Sequence, residues 1–82
     1  MARFFFHIRD GKTTLDTEGS EHADLASVRQ EAVEATAQIL QGRLLGHSDT
    51  ASWLVQVVDE AGFTVLVLSL AASVHILNTP PA

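Results

Sequence analysis

The sequence predicts an α+β domain in ββαββ order: a four-stranded, mainly antiparallel sheet with one amphipathic helix on one face. Three observations predict it. Arg3–Arg9 alternates with period two and runs into Asp10-Gly11, a hairpin signal. Leu25–Leu45 changes to a helical period. Two apolar, β-branched runs, Trp53–Val58 and Phe63–Leu70, flank the turn residues Asp59-Glu60-Ala61-Gly62.

In the first strand Phe4, Phe6 and Ile8 share one side, and Arg3, Phe5, His7 and Arg9 share the other. A short return strand, about Lys12–Asp16, rests on threonines and Leu15. The polar stretch Asp16–Asp24 contains Gly19 and reads as a loop. Asp24 is a suitable N-cap, because its carboxylate can accept from an unpaired amide at the positive helix end. Within the helix Leu25, Val28, Ala32, Ala35 and Ile39 form one stripe, flanked by Val33, Leu40 and Leu44. Ser27, Glu31, Glu34 and Gln38 lie opposite, and Gly46 is the expected stop.

His47–Ser52 reads as a linker. If Asp59 and Gly62 close the last hairpin, Val57 faces Thr64, Val55 faces Leu66 and Trp53 faces Leu68. The expected core is Phe4, Phe6, Ile8, Leu25, Val28, Ala32, Ile39, Trp53, Val55, Val57, Leu66 and Leu68. The domain is expected over residues 1–70, followed by a loosely ordered tail over 71–82 in which Val74, Ile76 and Leu77 could dock on a groove or a partner.

At 82 residues the chain supports one small core, and with no cysteine it has no disulfide to reinforce it. Self-association is the expected support. A formal charge of −5 argues against broad, phosphate-driven nucleic-acid binding. Met1–Ile8 lacks the pattern of a signal peptide, and the apolar run Phe63–Ala72 is far shorter than the roughly 20 residues of a membrane-spanning helix. The expected location is the cytoplasm, with no membrane partner.

The run Arg3-Phe4-Phe5-Phe6-His7-Ile8-Arg9-Asp10-Gly11, the Asp16-Thr17-Glu18-Gly19 loop, the Asp24-Leu25 helix start and Trp53 with Val57–Gly62 resemble a family of short bacterial proteins. That family carries an N-terminal R-[YF]-F-F-H-[LI]-R-D-G motif and is catalogued as a domain of unknown function. The resemblance covers about Arg3–Leu70 and implies relatives without a role. The chain departs from the pattern at Ser20 and His22, where the family usually has apolar residues. It departs again at Leu54, Val58, Phe63 and Val67, where relatives are commonly polar.

No sequence motif carries a reaction: there is no phosphate-binding glycine loop, nucleophile elbow or His-Glu-x-x-His pair. His7, Arg9 and Asp10 could hold a small anion, or they are surface and turn residues of the first hairpin. The acids Asp16, Glu18, Glu21 and Asp24 lack the glycine and glutamate spacing of a calcium loop and read as solvated loop and capping residues. His22, His47 and His75 lack zinc-site spacing, so no metal or cofactor is expected. Arg3, Phe5, His7 and Arg9 could stack bases and hold phosphates of single-stranded nucleic acid. Beside them, Leu54, Val58, Phe63, Val65 and Val67 form an apolar surface that a lone helix cannot cover. The preferred reading is a non-enzymatic protein-interaction module that forms a homodimer through this face or a sheet edge, an unidentified protein being the other occupant. The alternatives are the nucleic-acid binder and, more weakly, the small-ligand site at His7, Arg9 and Asp10.

Overall fold

The first strand, β1 (Ala2–Arg9), lies inside a sheet because its inward row Phe4, Phe6 and Ile8 has a hydrophobic layer to enter. In the computed structural model, which describes residues 1–46, 49–78 and 80–81, four further strands and one helix follow. They are β2 (Thr13–Thr14), β3 (Ser20–His22), α1 (Leu25–Leu45), β4 (Thr50–Asp59) and β5 (Thr64–Ser73). The sheet runs β2-β1-β4-β5 with every pair antiparallel, and β3 shares with β2 the outer edge of β1. The α+β class therefore stands, with a single helix packed on an antiparallel sheet. The strand count rises to five, because the stretch expected to be a loop places Ser20–His22 opposite Ala2–Phe4. The return strand is cut to Thr13–Thr14.

The helix has the expected bounds. Asp24 accepts from Ser27 N at 2.9 Å, and the Gly46 N–H closes the last turn on Gly42 O at 3.0 Å. Its buried stripe is Val28, Ala32 and Thr36, with Ile39 and Leu40 packed against the core. Leu25, expected in that core, is 54% exposed in the first turn of the helix. Glu31, expected on the solvent side, instead turns toward β3. Opposite the helix the core comprises Phe4, Ala51, Trp53, Val55 and Val57, supported by Phe6, Ile8, Val65, Leu66, Leu68 and Leu70.

The last hairpin pairs two residues away from the expected register: Val57 faces Leu66, Val55 faces Leu68 and Trp53 faces Leu70. One residue comes from a wider turn, since Asp59 Oδ1 accepts from Ala61 N and Phe63 N and keeps Phe63 out of the strand. The other is a bulge at Val65, which stands between the pairs Val57–Leu66 and Val58–Thr64. A shift of two preserves the faces of Leu66 and Leu68, because side chains alternate with period two. At the bulge the alternation breaks: Val65 packs against the core, and Thr64 moves to the face away from α1. Both strands of this hairpin extend three residues beyond the runs expected for them, to Thr50 and to Ser73.

Candidate functional site

The face away from α1 carries Arg3, Phe5, His7 and Arg9 from β1, opposite Val58, Gln56 and Leu54 from β4. A polar ladder crosses it. Arg9 donates through Nε and Nη2 to Gln56 Oε1 at 3.2 and 2.9 Å, and through Nη1 to Thr13 Oγ1 at 3.2 Å. Gln56 Nε2 continues to Thr64 Oγ1 at 2.8 Å. Around it, Leu54 and Val58 are half-buried, while Phe63 and Val67 are 70% and 55% exposed. The expected apolar surface is thus divided: Val65 has left it for the core, and a hydrogen-bonded row separates what remains.

The polar side chains that β1 places on this face are engaged. Arg3 Nη1 donates to Glu18 O at 2.7 Å, and Nη2 lies 3.7 Å from Glu21 Oε1. His7 Nδ1 accepts from Asp16 N at 3.1 Å. Asp10 does not join His7 and Arg9. Its carboxylate pairs with Arg43 at the end of α1, whose guanidinium lies 5.5 Å over the Trp53 ring. The three residues considered for a small ligand therefore have separate partners.

Asp16 is the organising residue of the β1 edge. β2 covers Ile8 and Arg9, β3 covers Ala2–Phe4, and between them the Phe6 amide donates to Asp16 Oδ2 at 3.1 Å. The other carboxylate oxygen accepts from Glu18 N and Gly19 N at 3.1 and 3.0 Å. Burial is the strongest single influence on this carboxyl and works to raise its pKa. The Gly19, Phe6 and Glu18 amides together with His7 outweigh it, so Asp16 titrates below its ordinary value. Gly19 has φ +72°, and a Cβ there would lie 2.8 Å from Phe4 O, so only glycine lets the loop approach β1 this closely.

His22, assigned from sequence to a loop, is the side chain that sequence reasoning missed. It lies 6.1 Å from the Phe4 ring and 5.9 Å from the Phe6 ring. Its Nε2 is 3.2 Å from both Ser20 Oγ and Glu31 Oε1, and its Nδ1 is 2.9 Å from Ser27 Oγ. An open cavity of about 280 Å³ beside it is lined by Ser27, Gln30, Glu31 and Glu34. A serine nucleophile requires its base to be held by an acid on the opposite ring nitrogen. Here Ser20 and Glu31 share one nitrogen, with the Ser20 hydroxyl directed at the Glu31 carboxylate at 2.9 and 3.1 Å, and Ser27, which stands on the ring nitrogen opposite Glu31, donates its hydroxyl to Asp24 O at 3.1 Å. The cluster joins β3 to α1. The i, i+2 spacing of Ser20 and His22 was the available signal, since it places both on one side of a strand.

Among the described residues no group of three or more His, Cys, Asp or Glu is placed to hold a metal ion, and no helix is long and apolar enough to cross a membrane. Glu18 offers its backbone, Glu21 pairs with Arg3, Asp24 caps α1, and His75 contacts Ser73 at 3.2 Å. His47 lies outside the described residues.

The opposite edge of the sheet differs from the β1 edge. Among the described residues β5 pairs with β4 alone, and its ten residues, Thr-Val-Leu-Val-Leu-Ser-Leu-Ala-Ala-Ser, include no charge and no proline. Fold and surface together define a small α+β protein with one guarded and one unguarded sheet edge. The model of the domain of unknown function DUF6894 matches residues 3–71, and the chain belongs to that family. None of the curated proteins and none of the solved structures is significantly similar to it.

Proposed function

We propose that this protein is a non-enzymatic interaction module of the bacterial cytoplasm whose working form is a homodimer. The observation that carries the reading is the contrast between the two edges. Sheet proteins suppress unwanted pairing with charge, proline, bulges or covering segments. The β1 edge is covered by two short strands and the Asp16 carboxylate, whereas eight residues of ladder beyond the Val65 bulge have no such protection. The half-buried Leu66, Leu68 and Leu70 lie along this strand and gain cover when a second chain is seated there.

The bonds already made by Arg3 and Arg9 favour this reading over nucleic-acid binding, because phosphates would have to displace Glu18, Glu21, Gln56 and Thr13. The bacterial setting rests on the N-terminal motif. Sedimentation equilibrium at micromolar concentration tests the proposal: twice the 8.8 kDa chain mass is expected, and a folded, soluble monomer across that range refutes it.

A further inference from the structure

Resting on that reading, we infer that a second copy of this chain pairs antiparallel along β5, with the two-fold axis passing beside Ser69. The hydrogen-bond parity of the sheet leads to this position. Residues of an antiparallel strand bond alternately to one neighbour and to the other. The Phe6 amide donates away from β4, to Asp16, so Phe5, His7 and Arg9 turn toward β4 and bond Val58, Gln56 and Leu54. The alternate residues Val57, Val55, Trp53 and Ala51 then bond Leu66, Leu68, Leu70 and Ala72 of β5. The ends of the hairpin agree, since Asp59 N donates to Phe63 O and Val74 N donates to Asp49 O. What remains is a row of N–H and C=O groups from Val67, Ser69, Ala71 and Ser73 that points off the free edge. Among the described residues no hydrogen bond reaches it.

A strand that pairs with its own copy must do so about its centre to use its full length. The uninterrupted ladder from Leu66 to Ser73 centres between Ser69 and Leu70, and of these two Ser69 is the one whose N–H and C=O point off the free edge. In that register Ser69 faces its own copy and Val67 faces Ala71 through outward-pointing groups. Leu68 faces Leu70 and Leu66 faces Ala72 on the helix side. Apolar then meets apolar on the side of the core, and side chains directly opposite share a face, as the pleat requires.

Charge and area permit the pairing. Each chain carries −5, yet β5 is uncharged, so the repelling groups stay off the contact line and are screened by salt. Paired over Val65–Ser73, the edge is about 31 Å long, and the sheet and helix layers are each about 10 Å deep, so two copies bury on the order of 1,200 Å². Specific interfaces bury roughly 1,200–2,000 Å². A peptide strand from another protein would meet the same groups but lacks the two-fold match of Leu68 with Leu70.

The chain has no cysteine, so single cysteines report the geometry without background. Ser69 and Ser73 are both exposed. In the inferred dimer the two residues 69 have Cα atoms about 5.5 Å apart, inside the roughly 4.4–6.8 Å range of disulfides, whereas residues 73 are about 27 Å apart. Ser69→Cys and Ser73→Cys are oxidised mildly in dilute protein, next to sedimentation of the unmodified chain. The expected result is a wild-type dimer, with Ser69→Cys covalently linked at least tenfold faster than Ser73→Cys. A wild-type dimer with equal crosslinking at both positions, or with faster crosslinking at Ser73→Cys, overturns the β5 register and leaves self-association intact. A wild-type monomer overturns both. Matching melting curves for the reduced variants establish that each is folded.

Discussion

Thr36 lies in the buried stripe of α1, 6% exposed, and among the described residues its hydroxyl has no hydrogen-bond partner. Valine has the same branched outline, the same stiffness at χ1 and nearly the same helix propensity, with a methyl in place of the hydroxyl. Thr36→Val therefore removes an unsatisfied polar atom without opening a cavity. An unpaired buried hydroxyl costs about 1–3 kcal/mol, so a gain of at least ~1 kcal/mol is expected. In a domain of this size that raises Tm by roughly 4–8 °C per kcal/mol. Thermal and urea unfolding followed by circular dichroism measure it, at one fixed protein concentration because Tm depends on concentration in the proposed dimer. The urea midpoint should rise with unchanged m, which separates a stability gain from a change in compactness. Thr36→Ser keeps the hydroxyl and loses the methyl, and should fall by about 1 kcal/mol. Thr36→Val equal to or less stable than the parent would refute the reasoning, since the hydroxyl would then have a partner worth keeping.

Gly19→Ala should cost at least about 2 kcal/mol, because it adds a backbone clash to the left-handed strain at φ +72°. Gly62→Ala, at φ +89° with nothing within 4 Å, should cost only the strain, about 1 kcal/mol, and the difference between their urea midpoints checks this. The native Asp16 carboxyl titrates below the ordinary 3.8, so its contribution is complete above about pH 4 and is lost as pH falls through the native value. Asp16→Asn, which cannot reproduce all three acceptor bonds, should lose about 1–2 kcal/mol at pH 7 and show a shallower decline from pH 5 to 2 in parallel melts. Arg43→Ala leaves the Asp10 carboxylate, whose side chain is 11% exposed, without its ion-pair partner. Because Arg43 is itself 40% exposed, the expected loss is about 1–2 kcal/mol, below that of a fully buried pair, and Trp53, the one tryptophan, reports the lost stacking by its fluorescence.

Long elements were legible in the sequence because their signals are repeated many times. The period-two row Phe4, Phe6, Ile8 and the helix from Asp24 to Gly46 needed no tertiary information. The register of the last hairpin did, because the side chain of Asp59 drew Phe63 into the turn and a bulge at Val65 let two adjacent apolar residues face the core. Neither event changes the apolar pattern from which register is read. β3 was hidden for a related reason. Ser20–His22 is polar, and it becomes a strand only because β1 presents unpaired backbone groups and Glu31 presents a carboxylate. The divided character of the open face was equally hidden, since it arises from Arg9, Gln56 and Thr64, which meet only when three strands are side by side.

The β1 edge is held by segments of two and three residues, too short to pair stably alone. Their persistence depends on groups outside the ladder: Asp16 bridging at Phe6, Gly19 allowing close approach, and His22 and Ser20 bound to Glu31 of the helix. Protection of this edge is therefore a tertiary property, conditional on the helix being seated and Asp16 being ionised. β5 needs no such help to form, since it shares a long hairpin ladder with β4. During folding the β4–β5 hairpin can be complete while both edges of the sheet are still open. A guard on β1 that closes with the helix leaves β5, among the described residues, as the open edge, and in the proposed dimer one such edge closes the assembly where two open edges would give a growing fibre.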